Sequence, residues 1–170
     1  MVFYDTTFSD YPDPINIAVI VFLSGCSHNC KGCQNPALQK IHEKFSEQKN
    51  KQIVEKIKKL CKDNNTNKVV LSGGDCLNDC NISTTKKILN ELSEDFDIII
   101  YTGYSIEEVH KKGITGYKFI KCGKFDCNNI QPVKKTDEYI QFVNKTQNLY
   151  DHSEKQISVN GRYYFKHQGE

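Results

Sequence analysis

The sequence predicts an α/β fold with a mainly parallel sheet, on two observations. Four short apolar segments, at 15–23, 67–72, 97–102 and 117–121, alternate with segments of helical character. The first of them, INIAVIVFL, is almost continuously apolar and β-branched, which is typical of a strand covered on both faces of its sheet. Alternation of this kind indicates βαβ units joined by helical crossovers.

Three helices are predicted between these strands. Residues 46–62 have Ser46 as their predicted N-cap, and their apolar residues recur at helical spacing, at Ile53, Val54, Ile57, Leu60 and Cys61. A second helix is predicted at about 83–92. Ser105 and Glu108 form a capping box that opens a third, short helix.

The two ends of the chain depart from this alternation. Residues 1–16 are polar, contain two prolines, and are predicted to form an irregular lead-in. Residues 138–143 predict a fifth strand. The segment QISV-NG-RYYF predicts a short C-terminal hairpin, because Asn160-Gly161 suits a type I′ turn.

Composition narrows the class of protein. A chain of 170 residues is one ordinary domain, and a net charge of +2 is too balanced to indicate nucleic acid or an anionic membrane as a partner. No apolar run approaches the ~20 residues of a membrane span, and the N-terminus lacks the basic region of a signal peptide. These features predict a cytoplasmic protein, whose eight cysteines are thiols rather than disulfides.

The stretch SGCSHNCKGCQN, at 24–35, holds three cysteines directly after the first predicted strand, spaced Cys26-x3-Cys30-x2-Cys33. Thiolates with this spacing can bind three irons of a [4Fe–4S] cluster from one loop, which leaves the fourth iron without a protein ligand. An open metal position is typical of reactive rather than structural sites. The cysteines are therefore predicted to be cluster ligands.

Two other interpretations of the cysteines as metal ligands remain open. A structural zinc site would need a fourth ligand, and His28 is poorly placed for that role because it lies inside the loop. Two further pairs, Cys76-x3-Cys80 and Cys122-x4-Cys127, could form a second metal site, although scattered buried thiols are the favoured interpretation. Cys61 is predicted to be a core residue.

Four motifs together resemble the radical S-adenosylmethionine (SAM) superfamily, and within it the activating proteins of anaerobic (class III) ribonucleotide reductases. They are VFLSGCSHNCKGCQNP (21–36), LSGGD (71–75), YTGY (101–104) and CGKF (122–125). The resemblance covers about residues 15–125 of a single domain predicted at 1–170. The tail at 126–170 diverges: VNKTQN resembles the family's Arg-Gly-Ser-Ser-Asn-Gln-like segment only loosely, and the family's Gly-Pro-Gly before the first strand is absent.

The resemblance implies a fold, cofactors and site residues. The fold is a partial (β/α) barrel of the radical SAM type with four to six mainly parallel strands, since a complete barrel needs ~250 residues. The cofactors are a [4Fe–4S] cluster and SAM, and no side chain is implied to be catalytic, because the radical chemistry is that of the cofactors. The methionine amino group is implied to lie on Gly73, Gly74 and Asp75. The adenine is implied to contact the backbone of Gly32, Cys33 and Gln34.

The same resemblance implies an activity and partners. The enzyme would cleave SAM reductively, with electrons from a flavodoxin-type donor, and would generate a glycyl radical on the large subunit of an anaerobic ribonucleotide reductase. Two alternatives remain. One is a small radical SAM enzyme acting on a small molecule, similar to 7-carboxy-7-deazaguanine synthase. The other is a non-catalytic zinc-binding module.

Overall fold

The computed structural model describes residues 1–166, so positions 167–170 of the predicted tail lie outside the described residues. Nine strands form within that range: β1 (Val2–Thr7), β2 (Ala18–Leu23), β3 (Lys68–Gly73), β4 (Asp97–Thr102), β5 (Phe119–Cys122), β6 (Lys134–Lys135), β7 (Tyr139–Gln141), β8 (Asn148–Asp151) and β9 (Arg162–Tyr164). The α-helices there are α1 (Glu47–Asp63), α2 (Ile82–Leu92) and α3 (Ile106–Lys111), and a 3₁₀ helix spans Pro36–Leu38.

The main sheet has six strands in the order β1-β2-β3-β4-β5-β8. Strands β2 to β5 are parallel, and α1, α2 and α3 connect them in turn, as the alternation along the sequence predicts. Strands β1 and β8 run antiparallel at the two edges. The fold is therefore mixed α/β with a mostly parallel sheet, and its assignment to a partial barrel stays a prediction. Because β2 to β5 are parallel, the loops that follow these strands all begin at the same end of the sheet, where the carboxyl ends of the strands lie.

Both faces of this sheet are covered, which explains the continuous apolar run of β2. Val19 and Val21 pack with the helices, whose buried residues include Ile53 and Ile88. Ile20 faces the other way and packs with residues from the lead-in, the neighbouring strands and the tail, namely Tyr11, Val70, Ile99, Ile140, Phe142 and Leu149. Successive residues of β2 thus point to alternate sides of the sheet, and all of them are buried except the half-buried Phe22.

The local helix signals are confirmed. The Ser46 hydroxyl accepts a hydrogen bond from the backbone N–H of Lys49 at 3.1 Å, and α1 buries Cys61. Ser105 and Glu108 form both bonds of the capping box, at 3.2 and 2.8 Å. Within residues 1–166, no helix has the length and apolar character needed to cross a bilayer.

The irregular lead-in predicted for residues 1–16 is wrong in its first half. Residues 2–7 form strand β1, paired with β2 from Val2↔Leu23 to Thr7↔Ala18. Strand β1 has only Val2, Phe3 and Tyr4 as apolar or aromatic residues and lies at an edge where its side chains are half-buried or exposed, so it lacks the longer apolar run of its neighbours. Strand β8 was not predicted either, because it is a four-residue edge strand with only one buried residue, Leu149.

The tail forms a second, three-stranded sheet in the order β6-β7-β9, and β7 corresponds to the predicted fifth strand. The predicted tight turn is confirmed: Val159 and Arg162 exchange two backbone hydrogen bonds, at 2.9 and 3.0 Å, around Asn160 and Gly161, which both have positive φ. Strand pairing differs from a simple hairpin, because β9 pairs with β7 through Ile140↔Tyr163.

Candidate metal centre

The three cysteines of the loop after β2 line one cavity of about 210 Å³, which lies at the carboxyl ends of the parallel strands. Its lining includes the predicted site residues Cys26, Cys30, Cys33, Gln34, Gly73 and Gly74. Phe22, Tyr101, Thr102, Gly103, Lys121, Phe125, Phe142 and Gln147 line it as well. The fold therefore brings three of the resembling motifs, and part of the fourth, to one place.

Backbone hydrogen bonds hold the cysteine loop in position. The N–H of Gly25 donates to the carbonyl of Leu38 at 2.7 Å, and that of Cys26 donates to the carbonyl of Gln39 at 3.1 Å. On the other side, the N–H of Asp75 donates to the carbonyl of Gly25 at 2.9 Å. Hydrogen bonds within the protein thus fix the loop between the 3₁₀ segment and the end of β3.

Close backbone contacts require glycine at Gly73, the last residue of β3, and at Gly74, the residue after it. A Cβ on Gly74 would lie 2.4 Å from the carbonyl oxygen of Leu38 and 2.7 Å from that of Gly25. A Cβ on Gly73 would lie 2.3 Å from the carbonyl oxygen of Leu23, and its φ of +122° favours glycine. The bare backbone predicted for ligand approach is therefore also what lets two loops touch.

Asp75 lies in an internal network rather than at the cavity wall. Its side chain is 1% exposed, and it is absent from the residues that line the cavity. The carboxylate accepts hydrogen bonds from the backbone N–H groups of Leu77 and Gly103, each at 2.8 Å, and from the Thr102 hydroxyl at 2.9 Å. This position does not favour the predicted contact of its side chain with an amino group.

His28 completes the network from inside the cysteine loop. Its Nε2 lies 2.7 Å from Oδ2 of Asp75, and its ring packs edge-on against Tyr104 at 4.5 Å between centroids. A Cβ on Gly103 would lie 2.5 Å from His28 Cδ2, so glycine is needed there. The sequence indicated only that His28 is poorly placed as a zinc ligand, and its pairing with Asp75 was not predicted.

The surroundings of Cys26 disfavour loss of its proton when no metal is bound. The pKa of the Cys26 thiol is raised, and burial is the largest cause. The charges of Asp75 and of the other two cysteines add to this rise, whereas the backbone N–H of His28 opposes it. Bound metal cations would replace those protons. Within residues 1–166 no three His, Cys, Asp or Glu side chains are grouped to hold a single metal ion. Cluster ligands differ from such a group, because each binds a different iron.

Lys121 is a cavity residue that sequence reasoning missed. It lies near the end of β5, is 6% exposed, and lines the cavity. Its Nζ is 3.9 Å from the ring centroid of Tyr101 and 5.0 Å from that of Phe142. Burial lowers the pKa of Lys121 to about 8. A lysine in a short apolar strand gives no sign in the sequence that it faces a cavity.

The five remaining cysteines are mostly buried thiols. Cys61, Cys76, Cys80 and Cys122 are buried, and burial raises the pKa of Cys122 to about 12. Cys127 is half-buried, and its Cβ would lie 3.3 Å from a Cβ on Gly32. These positions agree with the interpretation of scattered thiols.

The divergent tail closes one side of the cavity. Val143 and Gln147, from the VNKTQN segment, belong to the lining. The Gln147 side-chain amide donates to the carbonyl of Gly123 at 2.8 Å, and that of Asn144 donates to the carbonyl of Asp126 at 2.6 Å. The segment is therefore tied to CGKF, although its likeness to the family segment named above is only loose.

Comparison with known proteins gives one family and several relatives. The family model described as "4Fe-4S single cluster domain" matches residues 16–163. The chain is 31% identical over 99 residues to the anaerobic ribonucleoside-triphosphate reductase-activating protein of Haemophilus influenzae, which is 54% of this chain and 61% of that protein. It is 32% identical over 97 residues to the protein of the same name from Vibrio cholerae, which is 52% of this chain and 59% of the relative.

The Escherichia coli K12 protein of that name is 28% identical over 99 residues, 53% of this chain and 60% of the relative. The chain thus matches only about three fifths of the length of these curated relatives. No solved structure matches it.

Proposed function

Because the chain belongs to the 4Fe-4S single cluster domain family, we propose that it is a radical SAM enzyme that activates an anaerobic ribonucleotide reductase. The main support for this proposal is that Cys26, Cys30 and Cys33 all line one cavity at the carboxyl ends of the parallel strands. The name shared by the relatives supports the choice of partner. The sheet from β2 to β5 is the proposed partial barrel.

The residues present fit a [4Fe–4S] cluster. Three thiols line the cavity, which matches a cluster with three protein ligands and one iron left open to SAM. A reduced cluster held by Cys26, Cys30 and Cys33 would supply the single electron for cleavage of the sulfonium bond of SAM, and the adenosyl fragment would take a hydrogen atom from a glycine of the reductase. A cluster potential can reach about −700 mV, so a strong donor of the flavodoxin type is required.

The protein's own contribution is placement and exclusion of water. The backbone of Gly73 and Gly74 lines the cavity and is proposed to face the methionine amino group, without the side chain of Asp75. Cys33 and Gln34 form the wall proposed for the adenine, with Gly32 shaping the turn behind them. Aromatic rings at Phe22, Phe125 and Phe142 make part of the lining apolar.

The activating role is tested by mixing the reconstituted protein anaerobically with SAM, reduced flavodoxin and the class III reductase of the same source. We expect an electron paramagnetic resonance signal of a glycyl radical that requires both SAM and this chain. A reductase whose radical-bearing glycine is replaced by alanine is the matched control and should give no signal.

The two alternative functions, an enzyme that acts on a small molecule and a zinc-binding module, predict different results in the same experiment. SAM cleavage without a glycyl signal from the reductase would contradict the activating role and favour an enzyme acting on a small molecule. A colourless protein that carries zinc would contradict the radical mechanism as a whole.

A further inference from the structure

The net positive charge of the protein lies around the cysteine loop. The connection from β2 to α1 (24–46) and the connection from β5 to β6 (123–133) contain only two acidic residues, Glu43 and Asp126. They contain four lysines, which are all exposed: Lys31, Lys40, Lys44 and Lys124. Basic and acidic residues are equal in number over the rest of the chain, so these two connections account for the whole net charge of +2.

Two of these lysines lie in the cysteine loop or in the segment that is bonded to it. Lys31 directly follows Cys30. Lys40 directly follows Gln39, whose backbone carbonyl accepts a hydrogen bond from the N–H of Cys26 at 3.1 Å. Each of the two lysines is therefore the sequence neighbour of a proposed ligand or of the hydrogen-bond partner of one.

A third lysine comes from the connection after β5. Lys124 directly precedes Phe125, whose ring lies 3.7 Å from the position of a Cβ on Gly32, the residue after Lys31. Gly32 is exposed, so the cysteine loop reaches the protein surface at this point. Lys31, Lys40 and Lys124 together form the lysine rim of the cysteine loop.

The lysine rim lies outside the cavity and its charges are not neutralised by neighbours. Lys31, Lys40 and Lys124 are not among the residues that line the cavity, although Cys30 and Cys33 are. None of the three lysines takes part in a salt bridge in the described range 1–166. The loop thus turns its cysteines toward the cavity and Lys31 toward solvent.

We propose that the lysine rim is the docking surface of an acidic electron-donor protein. The inference rests on the proposed function, in which SAM fills the cavity, so the electron has to arrive from the outer side of the cysteine loop. One electron passes from the reduced flavin of the donor to the cluster; the flavin is oxidised, the cluster is reduced, and no bond forms or breaks.

Charge complementarity suits a partner of this kind. Electron-transfer complexes are small and transient, so they offer little apolar surface to hold the two proteins together. Opposite charges steer such partners toward each other and fix their orientation, which raises the rate of encounter more than the affinity. A ring of unpaired lysines beside the proposed cluster ligands supplies that attraction where the electron has to enter.

The test measures how fast an acidic flavodoxin, in its reduced form, reduces the anaerobically reconstituted protein, by stopped-flow absorbance at low ionic strength. The variant that combines Lys31→Glu, Lys40→Glu and Lys124→Glu should be reduced at least about tenfold more slowly than the wild type, the lower end of the range for electrostatic steering. Added salt should slow the reduction of the wild type, because it screens the attraction, and should not slow that of the variant.

The matched control combines Lys62→Glu, Lys111→Glu and Lys155→Glu. These lysines are also exposed and take part in no salt bridge within residues 1–166. They lie near the last residues of α1 and α3 and just after β8, whose Asp151 pairs with Phe119 at the start of β5, so they are at the opposite end of the sheet. This variant has the same net charge, and its reduction rate should stay within about threefold of the wild type.

A second reductant separates docking from an effect on the cluster itself. Photoreduced deazariboflavin is small and uncharged, so it needs no docking surface. It should reduce the wild type and both variants at the same rate. Equal slowing of the lysine-rim variant by both reductants, or an unchanged rate with flavodoxin, would overturn the inference.

Failure of this inference differs from failure of the proposed function. If flavodoxin reduces the lysine-rim variant as fast as the wild type, and the wild type cleaves SAM, the docking surface is wrong and the proposed function stands. If the lysine-rim variant alone is reduced slowly by flavodoxin, but the wild type cleaves no SAM, the docking surface stands and the radical SAM activity is wrong.

Discussion

Replacement of Cys30 by alanine is expected to remove the cluster and abolish all cleavage of SAM. The three cysteines are the only thiols in the cavity lining of the described residues, so each is needed to hold one iron. Loss of the middle ligand leaves two thiolates on a cluster that already has one open iron. Iron and sulfide per chain, the visible absorbance and the release of 5′-deoxyadenosine measure the result.

Cys61→Ala is the matched control for that experiment. Cys61 is equally a free thiol, but it is buried in the core on α1, away from the cavity. This variant should retain the iron content and the cleavage activity of the wild type, with only a loss of stability from the smaller side chain. Cleavage retained by Cys30→Ala, or lost equally in both variants, would contradict the assigned ligands.

Asp75→Ala is expected to lower the free energy of unfolding by about 3 kcal/mol or more, because it leaves several buried donors without an acceptor. The carboxylate links its own segment after β3 to two others, through His28 in the cysteine loop and through Thr102 and Gly103 at the end of β4. Urea unfolding of the anaerobic apoprotein measures the loss. The exposed Asp79, four residues along, provides a matched Asp79→Ala control with little expected effect.

Two further variants connect this loss to the cysteine loop. His28→Ala should be less destabilising than Asp75→Ala, and the double variant should lose less than the sum of the two single losses, because the residues share one bond. Strict additivity, or an Asp75→Ala loss below about 1 kcal/mol, would show that the network does not hold the loops together.

The sequence predicted those features whose cause is local or periodic. Strand β4 was predicted at its observed bounds because its buried run of isoleucines needs cover on both faces. The caps at Ser46 and Ser105 depend on residues only three positions away. The cysteine spacing is local in the same sense, so the three cavity thiols could be named from one loop.

The missed features depend on contacts between distant parts of the chain. His28 and Asp75 are 47 positions apart, and neither residue type announces the other. Lys121 acquires its importance from the rings of Tyr101 and Phe142, which only the fold brings near it. Strand β1 pairs along the open edge of β2, and its three apolar or aromatic residues are too short a run to predict a strand from the sequence alone.

The most direct test of the central claim is the electron paramagnetic resonance spectrum of the anaerobically reconstituted, reduced protein, recorded before and after addition of SAM. A cluster with three protein ligands and an open iron should give four irons and four sulfides per chain, with a signal that changes when SAM binds. A signal that is indifferent to SAM, or a protein that takes up zinc and assembles no cluster, would contradict the account.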